Sequence, residues 1–350
     1  MNTWRGIIAR YSEFLPFGAD EDTVTLLEGN TPLIHSPNLS KKTGASVYLK
    51  FDGANPTGSF KDRGMTVAIT RAKKDNAGAV ICASTGNTSA SAAAYAARCG
   101  LKCYVLIPSG KIAGGKMAQV IAHGAIVVAI EGNFDQALEL VKKISSQYSI
   151  VLVNSLNPFR IEGQKTAAFE ICDALGKFPD YLFIPVGNAG NITSYWKGFR
   201  EYMNAGRIKG LPKMCGFQAA GAAPIYYDRK IDNPETVATA IRIGNPARWQ
   251  EARTAMVDSG GLVSIVTDEE IMSAYFEVAK HDGVFAEPAS AASVAGLLKM
   301  SENDSFLTEK TIVCVLTGHG LKDPDAAVKF GAGFKTASIE MSSVLSAIGL

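Results

Sequence analysis

The apolar positions of this 350-residue chain gather into short continuous runs, separated by stretches with helical spacing. The runs are Val47–Phe51, Ala79–Ala83, Lys102–Ile107, Ala125–Ile130, Ile150–Val153, Tyr181–Val186, Met214–Gln218, Leu262–Val266 and Thr311–Leu316. Runs this short, with no polar alternation, predict strands buried on both faces. Between them, Met65, Val67, Ala68, Ile69 and Ala72 share one helical face, and Ser89–Ala97 and Ile192–Tyr202 continue the pattern. Thr267 and Glu270 form a capping box for a helix that carries Ile271, Tyr275, Val278 and Ala279. Strands that alternate with helices predict an α/β fold, with mostly parallel twisted sheets covered by helices on both faces. The strands are too many for one sheet, so two domains are expected. Residues 62–149 would form a smaller, mobile domain, and residues 1–61 with 150–350 a larger one. No internal repeat or low-complexity linker interrupts the pattern. Phe330–Leu350, with Ile339, Val344, Leu345 and Ile348, predicts a packing or dimer-contact helix.

Composition narrows the class little. A hydrophobic content of 47% and a net charge of +2 describe an ordinary soluble protein with dispersed charges, which argues against nucleic acid or a membrane surface as partner. The charge-free stretch Ala77–Ala97 is long enough to span a bilayer, but it holds Asn87, three serines and two threonines around Gly86 and draws its hydrophobicity from alanine. It reads as a buried strand and helix. The six cysteines (82, 99, 103, 172, 215 and 314) lack metal or redox spacing, and Cys82 and Cys314 lie in apolar runs as small hydrophobes. His35, His123 and His281 have no acidic or cysteine partner at ligand spacing, so no metal is expected. No signal peptide opens the sequence, and a cytoplasmic location is expected.

The chemistry is concentrated in three turns. Asn55-Pro-Thr-Gly-Ser-Phe-Lys-Asp-Arg-Gly64 places Lys61 between a Gly/Pro turn and a helix start. The positive end of a helix dipole disfavours a cation there and so favours a neutral, nucleophilic amine. The strand Ala79–Ala83 runs through Ser84-Thr-Gly-Asn-Thr88 into a helix, and Tyr181–Val186 runs through Gly187-Asn-Ala-Gly-Asn191 into another. Free N–H groups at such helix starts make anion sites. Any one turn alone is more often structural than functional. A reactive lysine with two anion-ready loops points to a phosphorylated carbonyl cofactor.

Five segments carry a resemblance: Glu28-Gly-Asn-Thr-Pro-Leu33, Gly58-Ser-Phe-Lys-Asp-Arg-Gly-Met65, Ala83-Ser-Thr-Gly-Asn-Thr-Ser89, Pro185-Val-Gly-Asn-Ala-Gly-Asn191 and Leu316-Thr-Gly-His-Gly320. In order and spacing they are similar to the motifs of fold type II pyridoxal-phosphate-dependent enzymes, and among these to the threonine synthase family. Dehydratases of this fold usually carry a histidine where this chain has Thr88, and a run of glycines in place of Gly187–Asn191.

The resemblance implies that pyridoxal 5'-phosphate lies in the cleft between the domains. Lys61 would hold the cofactor as a Schiff base and then act as acid and base. The phosphate would rest on Gly187, Asn188, Ala189, Gly190 and Asn191. Asn87 would face the phenolic oxygen and Thr317 the pyridine nitrogen, with His319 behind it. Ser84, Thr85 and Thr88 would bind the substrate carboxylate, and Lys116, Asn154, Ser155 and Arg160 are the candidates for a substrate phosphate. Asp62 and Arg63 are expected to pair locally and hold the lysine turn. Glu287, at the start of a small-residue helix, reads either as a favourable helix-start charge or as a neighbour of the cofactor. The implied reaction converts O-phospho-L-homoserine and water to L-threonine and phosphate, in a homodimer. A threonine or serine dehydratase of the same fold and a non-catalytic phosphometabolite-binding protein are the alternatives.

Overall fold

The structure, a computed structural model, describes residues 3–109, 114–303, 307–331 and 333–350, with the side chains of residues 114–116 and 303 outside that description. Each of the nine apolar runs is a strand. In chain order the strands are β1 (Leu33–His35), β2 (Ser46–Phe51), β3 (Ala79–Ala83), β4 (Lys102–Pro108), β5 (Ile126–Ile130), β6 (Ile150–Leu152), β7 (Tyr181–Pro185), β8 (Lys213–Ala219), β9 (Leu262–Val266) and β10 (Thr311–Leu316). The additional strand, β1, is three residues long and pairs antiparallel with β2 at a sheet edge, where no periodicity can build up. The capping box forms as expected, with Thr267 accepting from Glu270 N and Glu270 from Thr267 N.

Two sheets result. One has six strands in the order β1-β2-β10-β7-β8-β9 and the other four in the order β5-β4-β3-β6. Apart from β1, every pairing is parallel. The central strands are buried on both faces, which explains their unbroken apolar sequence. Ile312, Cys314 and Leu316 of β10 enter one core and Val313 and Val315 the other. Val80 and Cys82 of β3 divide from Ile81 and Ala83 in the same way.

The expected boundary at residue 149 leaves β6 with the larger sheet, whereas β6 pairs with β3 in the smaller one. With only three residues of its own, its partner is fixed by the return of the chain across β3 and not by its sequence.

Both sheets reverse their strand order internally. The chain steps from β3 to β4 to β5 on one side and returns to β6 on the other. It likewise steps from β7 to β8 to β9, while β10 takes the opposite side of β7. Ligands of open α/β sheets bind at such reversals, beyond the carboxyl ends of the strands. The Ser84 loop and Asn154 follow β3 and β6. The Gly187 loop and Thr317 follow β7 and β10. All four motifs are thereby brought to the two switch points.

The helix Met341–Ile348 forms at the carboxyl end but buries no residue, with Ile348 61% exposed. Among the described residues no helix is long and apolar enough to cross a membrane.

Candidate active site

Lys61 is the first residue of the helix Lys61–Lys74, which has no side-chain cap. Its turn is laced to the loop after β10: Phe60 N donates to Thr317 O (2.9 Å) and His319 N to Gly58 O (2.9 Å). A third strand of chain joins the sheaf where Glu287 N donates to Gly318 O (2.9 Å) and Gly320 N to Phe285 O (2.9 Å). Register at the sheet is the cause, since Leu316 of β10 lies opposite Phe51 of β2 and the two chains leave the sheet side by side.

Glycines set the other wall. A Cβ on Gly64 would lie 2.7 Å from Arg160 O, and one on Gly163 would lie 1.8 Å from Arg63 O. Only bare backbone lets the Lys61 helix and the Pro158–Gln164 helix approach so closely. Lys61 and Arg160 thereby share a cavity with Ser155, Ile161, Gln164, Pro185, Gly187–Asn191 and Ala240. Burial pushes the Lys61 amine down to about 7; Arg160 assists and Glu287 opposes. The amine stands 4.1 Å from the Phe60 ring centroid.

The cavity is rich in polar atoms that the protein leaves unmatched. Arg160 is 1% exposed, and its Nη1 donates to Val153 O (3.1 Å), but among the described residues Nε and Nη2 have no partner. Burial lowers its pKa to about 10, although Cys82 and Asp62 act in the opposite sense. Asn191, also lining the cavity, is buried with both amide atoms unmatched among the described residues, and outside that lining Asn87 Oδ1 is unmatched too. Ala189 precedes the helix Gly190–Asn204 in the left-handed region (φ 63°), with no side-chain cap on the N–H groups that follow. Unmatched buried polar groups are rare in folded proteins, and clustered ones mark a ligand's place. The set suits pyridoxal phosphate: an anion cradle at Gly187–Asn191, a nucleophilic amine, and an amide and a hydroxyl for the ring.

The remaining expected residues divide. Thr317 Oγ1 lies 3.1 Å from Ser290 Oγ. Ser290 also accepts from Gly318 N (3.0 Å), a role without a signal in the sequence. Ser84 Oγ accepts from Gly86 N (3.1 Å), which shapes its loop, while Thr85 is half-buried and Thr88 buried at the uncapped start of the Asn87–Arg98 helix. Ser155 lines the cavity, and its carbonyl accepts from Arg248 Nε (3.4 Å). Asn154 is engaged elsewhere: its amide takes Ala83 N (3.0 Å) and gives to Ala83 O (2.9 Å), extending β3 by one pair. The side chain of Lys116 lies outside the described residues. His319 is half-buried, its Nδ1 accepting from Leu321 N (3.1 Å) and its ring against Phe51 and Phe285.

Asp62 and Arg63 do not pair with each other, because successive helix residues point in different directions. Asp62 accepts from Thr57 N (2.7 Å), Thr57 Oγ1 (2.6 Å) and Ser91 Oγ (2.6 Å), and burial raises its carboxyl to about 6. Arg63 instead reaches Asp52 (2.8 Å) and Glu170 (2.7 Å), and Lys50 closes the network on Glu170 (2.7 Å). Two further residues had no signal in the sequence. Ala240 reaches the cavity from a segment without a motif, and Gln164 faces it across the Gly64–Gly163 contact.

The family of pyridoxal-phosphate-dependent enzymes matches residues 24–318, and the chain belongs to it. It belongs, more narrowly, with the threonine synthases. It is 59% identical over 328 residues to the threonine synthase of Halalkalibacterium halodurans, covering 94% of this chain and 92% of that one. The threonine synthase of Mycobacterium bovis is 56% identical over 348 residues, covering 99% and 97%. Maize serine racemase, at 17% identity, shares the fold with a TM-score of 0.73 over 92% of both chains.

Proposed function

We propose that this enzyme converts O-phospho-L-homoserine and water to L-threonine and phosphate, as a pyridoxal-phosphate-dependent threonine synthase. The observation that carries the choice of substrate is Arg160. It is a fully buried guanidinium with two unmatched nitrogens and, among the described residues, no ion pair, in the same cavity as Lys61. A buried cation without a counter-ion is costly unless an anion arrives to complete it. The Gly187–Asn191 cradle accounts for the cofactor's phosphate, which leaves Arg160 and Ser155 for the phosphate of the substrate. A dehydratase has no use for a second anion site of this kind.

When bound, pyridoxal phosphate supplies the electron sink that makes the carbons beside the substrate amine acidic. The chain's residues do the rest. Lys61 Nζ, held down to about 7 by burial and so available in its neutral form at neutral pH, takes the proton from Cα and returns protons to neighbouring carbons. Arg160 holds the phosphate on Cγ so that it departs onto a cation already in place. Backbone N–H groups at Ser84–Thr88 hold the carboxylate. Asn191, with the amides of Gly187–Gly190, would anchor the cofactor's phosphate. Thr317 Oγ1, steadied by Ser290, would offer the pyridine nitrogen a neutral hydroxyl, which favours an unprotonated ring. Asn154 serves by fixing the loop that carries Ser155 and not as a phosphate ligand. We divide the domains after β6, and we assign the exposed apolar side of Met341–Ile348 to a homodimer contact, to be checked by light scattering.

Addition of O-phospho-L-homoserine to the enzyme tests the reading directly. Phosphate and threonine should appear in equal amounts. An imine absorbance without phosphate release, together with an α-keto acid formed from threonine or serine, would transfer the assignment to a dehydratase.

A further inference from the structure

Glu287 has a role that the reaction scheme above leaves open. It is 1% exposed, although a glutamate at a helix start is normally solvated. Both carboxylate oxygens accept from Asn87 Nδ2, at 3.1 and 3.2 Å, across 200 residues of sequence. Asn87 opens a helix against the four-stranded sheet, whereas Glu287 precedes the helix Pro288–Asn303 against the six-stranded one. The bond therefore joins the two halves of the cleft beside Lys61.

The space for this carboxylate is built. A Cβ on Gly318 would lie 2.4 Å from Glu287 Oε1, so the glycine after Thr317 clears the room the carboxylate occupies. The backbone of Glu287 is pinned at both ends, its N–H to Gly318 O and its carbonyl to Ser290 N (2.9 Å each). The side chain is thus aimed by the loop that carries Thr317.

An ionised carboxylate only accepts hydrogen bonds. It can face the nitrogen of the Asn87 amide and not the oxygen, so it decides which way round that amide stands. One N–H is then held by Glu287. An amide nitrogen carries two N–H groups, so a second one remains for a ligand, and Oδ1 is unmatched among the described residues.

We infer that Glu287 is a positioning residue: its carboxylate fixes the orientation of the Asn87 amide, so that Asn87 offers an N–H to the phenolic oxygen of the cofactor. The inference rests on the pyridoxal-phosphate reading of the site. It predicts that Glu287 acts through Asn87. Glutamine in its place has the same shape but can face Asn87 with either end, so the amide is free to turn over.

The test uses holoenzyme of the wild type, E287Q, E287D, N87A and the N87A/E287Q double variant. The absorbance band of the bound cofactor, kcat, KM and Tm are recorded for each. E287Q should shift the band and lower kcat about tenfold to a hundredfold, the scale seen when a ligand loses its orienting partner, with KM little changed. On the N87A background the same substitution should lower kcat less than about twofold, because interacting residues do not add. E287D keeps the charge but withdraws it by one methylene, and should show a smaller shift of the same sign; it carries the test if E287Q does not fold. A full, additive loss in the double variant overturns the inference, as does a wild-type band and kcat in both single Glu287 variants. A wild type that shows no imine band removes the cofactor reading and this inference together. A wild-type band that Glu287 substitutions leave in place removes this inference alone.

Discussion

Arg63, on the Lys61 helix, and Arg160, in the Lys61 cavity, are both buried, and their surroundings could hardly differ more. Arg63, two residues along the same helix, is 0% exposed and meets Asp52, Glu170, Thr31 and Thr166. Glu170 in turn accepts from Lys50 and from Asn30 N. Arg160, 1% exposed, gives one hydrogen bond to a carbonyl and leaves two nitrogens unmatched. A closed network of charges rigidifies the scaffold, while an open one waits for a ligand. Burial alone therefore does not separate scaffold from site; the completeness of the hydrogen bonding does.

The comparison breaks first at Lys61, which shares a helix with Arg63 and a cavity with Arg160. Lys61→Ala should lower turnover by about 10³-fold or more, since it removes both nucleophile and proton carrier, and should abolish the imine absorbance. Phosphate release at the wild-type rate would sink the scheme. The apoprotein should keep its Tm to within a few degrees, because the buried amine has no hydrogen bond or ion pair among the described residues and packs on the Phe60 ring.

Arg63→Ala should instead act on stability. It strands Asp52 and half of Glu170 in the core, a loss of about 3–5 kcal/mol by urea denaturation. A loss near zero would mean that the network is ornamental.

Acid should undo the same network. Burial raises the Glu170 carboxyl, but Arg63 and Lys50 outweigh it and hold the group at about 2, against an ordinary 4.5. Between those values the unfolded chain binds more protons than the folded one. The stabilisation, on the order of 3 kcal/mol, is thus complete above pH 4.5 and disappears as pH falls towards 2. Glu170→Gln should flatten denaturation curves in that window, and a slope unchanged from wild type would exclude the effect.

Arg160→Met should reverse the pattern of Arg63. We expect kcat/KM to fall about a hundredfold, the scale of one lost charged contact to a reacting group, with stability within about 1 kcal/mol of wild type. Instability as large as that of Arg63→Ala would make Arg160 scaffold after all.

The smallest effect concerns loading. With the Lys61 amine near 7, cofactor uptake by the apoenzyme should speed up with pH below that value and level off above it. Stopped-flow absorbance would show this, and a rise continuing to pH 10 would mean that burial does not depress the amine.

Much of this was readable along the chain. Strands buried on both faces announce themselves as unbroken apolar runs, and the turns of Lys61, Ser84–Thr88 and Gly187–Asn191 carry their own chemistry in contiguous residues. Such signals are local: side-chain periodicity, capping and the field of a helix end extend over one or two turns. Which partner a buried charge finds is not local. Arg63 sits beside Asp62 in sequence yet bonds Glu170, 107 residues away. Asn154 reads as a ligand at a strand end but completes the backbone of Ala83, and Glu287, which reads equally as a helix-start charge or a neighbour of the cofactor, turns inward to Asn87. β6 takes its place in the smaller sheet only because the chain returns across β3. The sequence by itself determined the elements and singled out Lys61 and the loops Ser84–Thr88 and Gly187–Asn191 as the candidate site. The tertiary structure decided which polar atoms are matched and which are left for a ligand, because desolvation and hydrogen bonding are settled only when distant segments meet.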